Sequence, residues 1–185
     1  MSEAFDLQPT LTGDLVVLRP MSPEDFPALH AAAADPLIWA QHPESDRFEE
    51  TVFRRFFQSG LDSRGAFVVV DRADGRIIGS SRFHGYDPAA REVEIGWTFL
   101  VRSRWGGRHN GEMKRLMLTH AFRHVDRVLF IIGPKNVRSQ RAVERIGAVR
   151  AGVRMNDRGE QSVVYAITRD AFRTTTLLRP SGEGA

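Results

Sequence analysis

Three glycines, Gly106, Gly107 and Gly111, crowd a short stretch with Asn110 among them. Met113, Leu116, Met117 and Ala121 follow at i, i+3, i+4 and i+8, the spacing of one helix face. A glycine-rich turn feeding a helix N-terminus lets backbone N–H groups converge on one point. The helix dipole adds about half a positive charge there. The stretch Ser103–Phe122 therefore reads as an anion site, with phosphate the usual guest. The same residues also suit a plain loop and helix start, so the glycines alone leave both readings open. There is no cysteine, which excludes disulfides, Cys-based metal sites and a Cys nucleophile. Any group transfer is then direct or uses another nucleophile. His120 and His124 lie one helical turn apart, a spacing that metals use, but no third ligand stands at useful spacing and no metal is expected.

The elements that must position this turn can be read in order. Leu15–Pro20 reads as a first strand. Ser22-Pro23-Glu24-Asp25 starts a helix, with Ser as N-cap and Pro at N1, and Asp35-Pro36 ends it. Leu37–Pro43 reads as irregular and aromatic. Phe48–Gln58 fits a second helix with Phe53, Phe56 and Phe57 on its apolar side. The period then changes to two. Ala66–Val70, Arg76–Tyr86 and Glu92–Leu100 form an antiparallel meander, with Asp74-Gly75 in the first turn. Gly96 lies inside the third of these strands, where glycine marks a bulge or a close backbone approach. Val128–Ile132 is a short apolar run of the kind buried strands show. Asn136–Ile146 reads as a helix with Gly147 at its C′ position, and Val149–Met155 with Ser162–Thr168 as a final hairpin turning at Asn156–Gly159.

This order and three local motifs resemble the GCN5-related N-acetyltransferases, specifically the RimJ/RimL-type branch. The motifs are Val93–Trp97 (VEIGW), Trp105–Lys114 (WGGRHNGEMK) and Asn136–Ala148 (NVRSQRAVERIGA), and the resemblance runs from about Leu15 to Phe172. It implies an α/β (α+β) fold: a mixed, mostly antiparallel twisted sheet of about seven strands flanked by four helices. It also implies direct transfer of acetyl from acetyl-coenzyme A to a primary amine in a ternary complex, which suits a chain without cysteine. By the same resemblance, the pyrophosphate sits on the backbone of Trp105, Gly106, Gly107, Arg108, His109, Asn110 and Gly111. The strand around Ile95, Trp97 and Thr98 bonds the pantetheine arm, and Asn136 meets the arm beyond the apolar strand. The usual turn of the family has Gly and Gly/Ala where this chain has Arg108 and Asn110, a departure that bears on cofactor affinity.

Acetylating an amine needs a base for the ammonium proton and a proton for the departing thiolate. Glu94, in the strand that meets the acetyl group, is the candidate base, with Glu92 two residues earlier. Ser139 stands where this branch offers a hydroxyl to the sulfur. Many relatives use a tyrosine on this helix, whereas this chain has only Tyr86 and Tyr165. Trp39, His42, His84 and Tyr86 are the candidate acceptor-pocket residues. Each has a plainer role open to it: Glu94 in an ion pair, Ser139 on the solvent face, Asn136 as a helix cap, Trp39 in the core.

The bulk properties fit one globular domain over 1–178 with a disordered tail over 179–185. Net charge is +3 and the pI is 9.9. Of 26 basic residues, Lys114 and Lys135 alone are lysines. The arginines are scattered among acidic residues with no basic stripe, so no nucleic-acid partner is expected and an anionic cofactor is. Met1–Gly13 lacks a signal-peptide core and no apolar run suits a membrane helix, so a cytoplasmic location and no membrane partner are expected. An exposed edge strand in the final hairpin would support a homodimer. The competing class is a non-catalytic acyl-coenzyme A-binding regulatory module, favoured by Arg108 and Asn110.

Overall fold

The computed structural model describes residues 4–155 and 159–174. An eight-stranded sheet runs in the order β1-β2-β3-β4-β5-β6-β8-β7. Its strands are β1 (Leu11–Thr12), β2 (Val16–Pro20), β3 (Ala66–Asp71), β4 (Ile77–Asp87), β5 (Glu92–Leu100), β6 (Arg127–Ile132), β7 (Val149–Met155) and β8 (Gln161–Thr168). The helices are α1 (Phe26–Ala33), α2 (Pro36–Trp39), α3 (Glu50–Ser63), α4 (Arg108–Ala121), α5 (Val137–Arg145) and α6 (Arg169–Thr174). Every strand pair is antiparallel except β5–β6, which is parallel.

The mixed, mostly antiparallel architecture is the expected one, but with eight strands rather than seven and six helices rather than four among the described residues. The additions are short: Leu11–Thr12 pairs with Leu18 and Val17, Pro36–Trp39 winds one turn, and α6 follows β8. Residues 37–39, expected to be irregular, are helical because the Asp35 carboxylate accepts the Leu37 N–H and caps the turn. The first helix begins later than Ser22. Pro23–Asp25 is a 3-10 turn in which the Asp25 carboxylate accepts the Ser22 N–H and pairs with Arg19. The tip of the final hairpin at 156–158 and the tail at 179–185 lie outside the described residues.

Two apolar layers flank the sheet. On one face α4 buries Met113, Met117, Leu118 and Ala121 against Val93, Ile95, Val128 and Phe130. On the other, α1 and α3 bury Leu29, Phe53, Phe56 and Phe57 against Val68 and Phe99. Burial of each such side chain contributes about 1.5–3 kcal/mol. Glu112, in the second turn of α4, pins that helix to the start of β2: its carboxylate accepts the N–H groups of Asp14, Leu15 and Val16 at 2.7–2.9 Å.

Two departures from regularity in β5 build the functional cleft. First, Ser80 pairs with Phe99 while Arg82 pairs with Gly96, so Trp97 and Thr98 together face a single residue of β4. Trp97 is the bulge residue, with φ of 51°. Second, β5 and β6 pair only over Glu92–Glu94 and Arg127–Leu129. Beyond Glu94 the two strands part, leaving the backbone of residues 95–99 on that side without a protein strand.

Candidate active site

A cleft of about 470 Å³ opens where the strands part. Ile95–Leu100 and Phe130–Gly133 form its walls, Gly106, Gly107 and Asn110 one end, and α5 from Asn136 the other. Among the described residues, Arg47, Lys114, Arg138, Arg141 and Arg145 line it, and no Asp or Glu does. A polyanion therefore enters a uniformly positive field.

In the glycine-rich turn neither Arg108 nor Asn110 has positive φ. Helix α4 starts at Arg108, so both are helical and neither needs the left-handed conformation. The turn requires it only at Gly106, φ 69°, where a Cβ would meet nothing within 4 Å. Gly107 is the N-cap in extended conformation, and Gly106, Gly107 and Asn110 bring the N-terminus of a 14-residue helix to the end of the cleft. Of the residues assigned to the cofactor, Ile95, Trp97, Thr98, Trp105, Gly106, Gly107, Asn110, Asn136 and Ser139 line the cleft; Arg108, His109 and Gly111 do not. The His109 side chain turns away to buried Asp71, Nε2 to Oδ2 3.4 Å, which also pairs with Arg104 at 2.7 Å.

Glu94 projects from β5 on the α1–α3 face, paired across the ladder with His84. It is 9% exposed. A Cβ on Gly96 would sit 3.0 Å from Oε1, which places the carboxylate beside a residue of the cleft wall. Among the described residues it makes no hydrogen bond or ion pair. Burial raises its pKa to about 7 against the opposing pull of Arg154 and Arg82. The plainer role, an ion pair with arginine, is not the one the geometry shows.

On the opposite face, Lys114 reaches up from α4 to the cleft floor. It is 5% exposed. Nζ donates to Thr98 Oγ1 at 2.9 Å and lies 5.3 Å from the Phe130 ring centroid. Thr98 Oγ1 in turn lies 2.8 Å from Ser81 Oγ. No carboxylate neutralises this lysine among the described residues, and burial pushes its pKa down to about 7.

Asn136 caps α5: Oδ1 accepts the Ser139 N–H at 3.2 Å. Cap and cleft wall coincide in this residue. Ser139, half-buried, lines the cleft from the first turn of α5. Arg138 spans the opening, its guanidinium 3.9 Å above the Trp105 ring and Nη2 donating to Ile38 O at 2.7 Å.

The four acceptor-pocket candidates divide. Trp39 and His42 line the cleft. Trp39 is also core, 2% exposed, with Nε1 donating to Ala33 O at 2.8 Å. The His42 ring nitrogens lie 3.1 Å from the Glu44 N–H nitrogen and from Arg47 Nη1, and burial beside Arg47 lowers its pKa to about 3. It is neutral at working pH. His84 is exposed and sits edge-on to Trp97, 4.9 Å between centroids, outside the cleft lining. Tyr86 lies outside the cleft lining: its ring packs on Phe5 at 5.0 Å beside the layer on the α4 face, within the irregular stretch of β4 where the register shifts between His84 and Asp87 and Gly85 takes φ 58°.

Lys114, Arg47, Arg82 and Arg138 were not foreseen. Arg82 is 3% exposed, stacks 4.4 Å from the Trp97 centroid and leaves Nε without a partner. Of these four, Lys114 alone left a trace in the sequence. The described residues hold no group of three metal-ligating side chains, and none of their helices is long and apolar enough to cross a membrane.

This fold and cleft agree with the comparisons. Residues 16–149 match the Acetyltransferase (GNAT) domain. The chain belongs to the GNAT acetyltransferases and is an acyltransferase. A GCN5-related N-acetyltransferase from Brucella melitensis superposes with TM-score 0.80 at 20% identity, covering 92% of this chain and 82% of that one. A putative acetyltransferase from T. thermophilus is 28% identical, with TM-score 0.71 over 89% of this chain and 91% of that one. Mycobacterium smegmatis RimJ, in complex with CoA-disulfide, is 21% identical, with TM-score 0.70 over 91% of each chain.

Proposed function

We propose that this protein transfers acetyl from acetyl-coenzyme A directly to a primary amine in a ternary complex, as a RimJ/RimL-type enzyme of the cytoplasm. The acceptor is a protein N-terminal α-amine or a small-molecule amine. The observation that carries the reading is the pairing of Glu94, a buried carboxylate unpaired among the described residues, with a cationic cleft whose described lining holds no carboxylate, where β5 and β6 part. The residues present fit acetyl-coenzyme A, which supplies the activated thioester. The α4 N-terminus and the cleft arginines hold the phosphates, and the free backbone edge of residues 95–99 bonds the arm. Glu94 takes the ammonium proton of the acceptor, while Trp39, His42 and Arg47 contact the acceptor. The feature that favoured a non-catalytic regulatory module, Arg108 and Asn110 in place of glycine, loses its force once both residues are helical.

The test is calorimetric titration with acetyl-coenzyme A and desulfo-coenzyme A, followed by thiol release over a panel of dipeptides, amino acids and polyamines. Micromolar binding with turnover supports the reading. Binding without turnover across the panel favours the regulatory module, and no binding at millimolar ligand removes both.

Two substitutions refine the site. His42→Ala is expected to raise the acceptor KM severalfold while leaving the pH–rate profile unchanged, since His42 is neutral throughout the working range. A lost pH limb would contradict this. Ser139→Ala is expected to lower kcat by about 10- to 100-fold, the scale of one hydrogen bond to a charged group, with acetyl-coenzyme A binding retained. Wild-type turnover would remove Ser139 from the chemistry.

A further inference from the structure

A serine hydroxyl is a far weaker acid than the thiol of coenzyme A. Ser139 can hydrogen-bond the departing sulfur, but it cannot end the step as an alkoxide. The proton must have another source, and the chain has no tyrosine on α5 to supply it: Tyr165 lies on β8, with its hydroxyl donating to Glu144 at 2.8 Å.

We propose that Lys114 is the acid that protonates the departing coenzyme A thiolate, making it a catalytic residue. Three observations carry this. Lys114 is nine-tenths buried yet lines the cleft, and its charge has no carboxylate partner among the described residues. Its Nζ is held by one hydrogen bond to Thr98, which leaves other N–H bonds to donate. Lastly, it lies on the α4 face of the sheet and Glu94 on the α1–α3 face, with the gap between β5 and β6 separating them. A thioester in that gap has a base on the side from which the amine arrives and an acid on the side to which sulfur leaves.

The step balances. The acceptor ammonium first gives one proton to Glu94, which releases it to solvent; the neutral nitrogen then bonds to the acetyl carbon and passes a second proton to Glu94. The C–S bond breaks, its electron pair stays on sulfur, and sulfur takes a proton from the Lys114 ammonium. Proton transfer through solvent from Glu94 to Lys114 restores the starting forms. An ordinary lysine near pKa ~10.4 would be too weak an acid for a thiolate of pKa ~8.5, whereas a buried lysine near neutrality is suited to it. The charged groups around the cleft are Arg47, Arg138, Arg141 and Arg145, which line it, and Arg82 and Glu94 on the far face; His42 is neutral.

This proposal rests on the acetyl-transfer reading, so wild-type thiol release with the best panel amine is the control whose failure tells against that reading alone. With turnover in hand, Lys114→Met is expected to lower kcat about 100-fold or more and to abolish the alkaline limb of the pH–rate profile. The Kd for desulfo-coenzyme A should stay within about threefold, since one ion among several holds the phosphates. Lys114→Arg should be as slow as Lys114→Met, because a guanidinium keeps its proton. Near-wild-type kcat in Lys114→Met, or recovery in Lys114→Arg, would overturn proton donation. A change confined to Kd would leave Lys114 as a binding residue only and overturn it too. A measurement on the unaltered protein is independent of those variants. Lys114 and Lys135 are the only lysines, so ¹⁵N-lysine labelling gives two side-chain signals. One should titrate near neutrality and shift when desulfo-coenzyme A is added. Two signals titrating near 10 would sink the proposal.

Discussion

Glu94→Gln is expected to lower kcat about 100-fold or more, the range over which a positioned base contributes, and to raise stability at the same time. Glu94 acts as base only when ionised. Its pKa lies at about 7, so wild-type activity should rise with pH through that value. The variant should lose that limb and keep only the ionisation of the free amine. The stability effect has the opposite sign. Burial raises the folded pKa above the unfolded value of about 4.3, so the protein favours the neutral form. The cost of ionising Glu94 in place is absent below the unfolded pKa and fully present above the folded one. Glutamine never incurs it. At pH 8 the variant should therefore gain on the order of 3 kcal/mol, since burial raises the carboxyl from its ordinary value to about 7. Thermal melts at pH 5 and pH 8 should show a gain several times larger at the higher pH, about 1 kcal/mol being present already at pH 5. A variant that is slow but no more stable at pH 8 would mean that Glu94 is paired in solution. One with an unchanged pH profile would not have lost its base.

Gly106→Val is expected to weaken acetyl-coenzyme A binding by about 10- to 100-fold. The left-handed conformation at Gly106 is open to glycine, and a β-branched residue there costs about 1–3 kcal/mol. The chain can relieve that strain by reshaping the turn. The first N–H groups of α4 then no longer converge on the cleft end. Space is not the obstacle, since a Cβ at Gly106 would meet nothing within 4 Å. The contrast is Gly107→Ala. Its φ of −95° suits any residue, and the added methyl would come no closer than 3.8 Å to a neighbour. Calorimetry should find Gly107→Ala within about threefold of wild type. If Gly106→Val binds equally well, the turn does not hold the phosphates.

Much of this site can be read from the sequence because it is local. A glycine before a helix pattern marks the anion turn, Asn136 carries its own capping signal, and Gly96 flags irregularity in β5. What could not be read depends on which strands meet. The parting of β5 from β6 after three residue pairs leaves no mark in either sequence. Arg47 and Arg82 take their places only against α3, Arg47 over the Phe56 ring and Arg82 donating to Ser59. Tyr86 misled because strand alternation gives no sign of the register shift between His84 and Asp87 that sets its face. Lys114 was legible in part. The buried stripe of α4 is Met113, Lys114, Met117, Leu118 and Ala121 rather than the stripe with Leu116, and position 114 lies three and four residues before Met117 and Leu118. A lysine on the apolar face of a helix, in a chain that otherwise uses arginine, is a signal that period arithmetic can find.

The Trp97 bulge has a consequence for how the strand tolerates length changes. In a regular strand, even-numbered residues share one face and odd-numbered residues the other. Up to Ile95 this strand obeys: Val93 and Ile95 face α4, and Glu94 faces away. After the bulge the parity is reversed, so that Thr98 and Leu100 face α4 while Phe99 faces α3. The single extra residue thus lets one short strand present a carboxylate to one side and, four positions later, a hydroxyl anchoring the lysine to the other. Deleting Trp97 would remove the bulge and still leave Thr98 on the α4 face, because the shortened strand then alternates regularly from Glu94. Flattening the bulge at full length would instead put Thr98 in phase with Glu94 and strip Lys114 of its anchor.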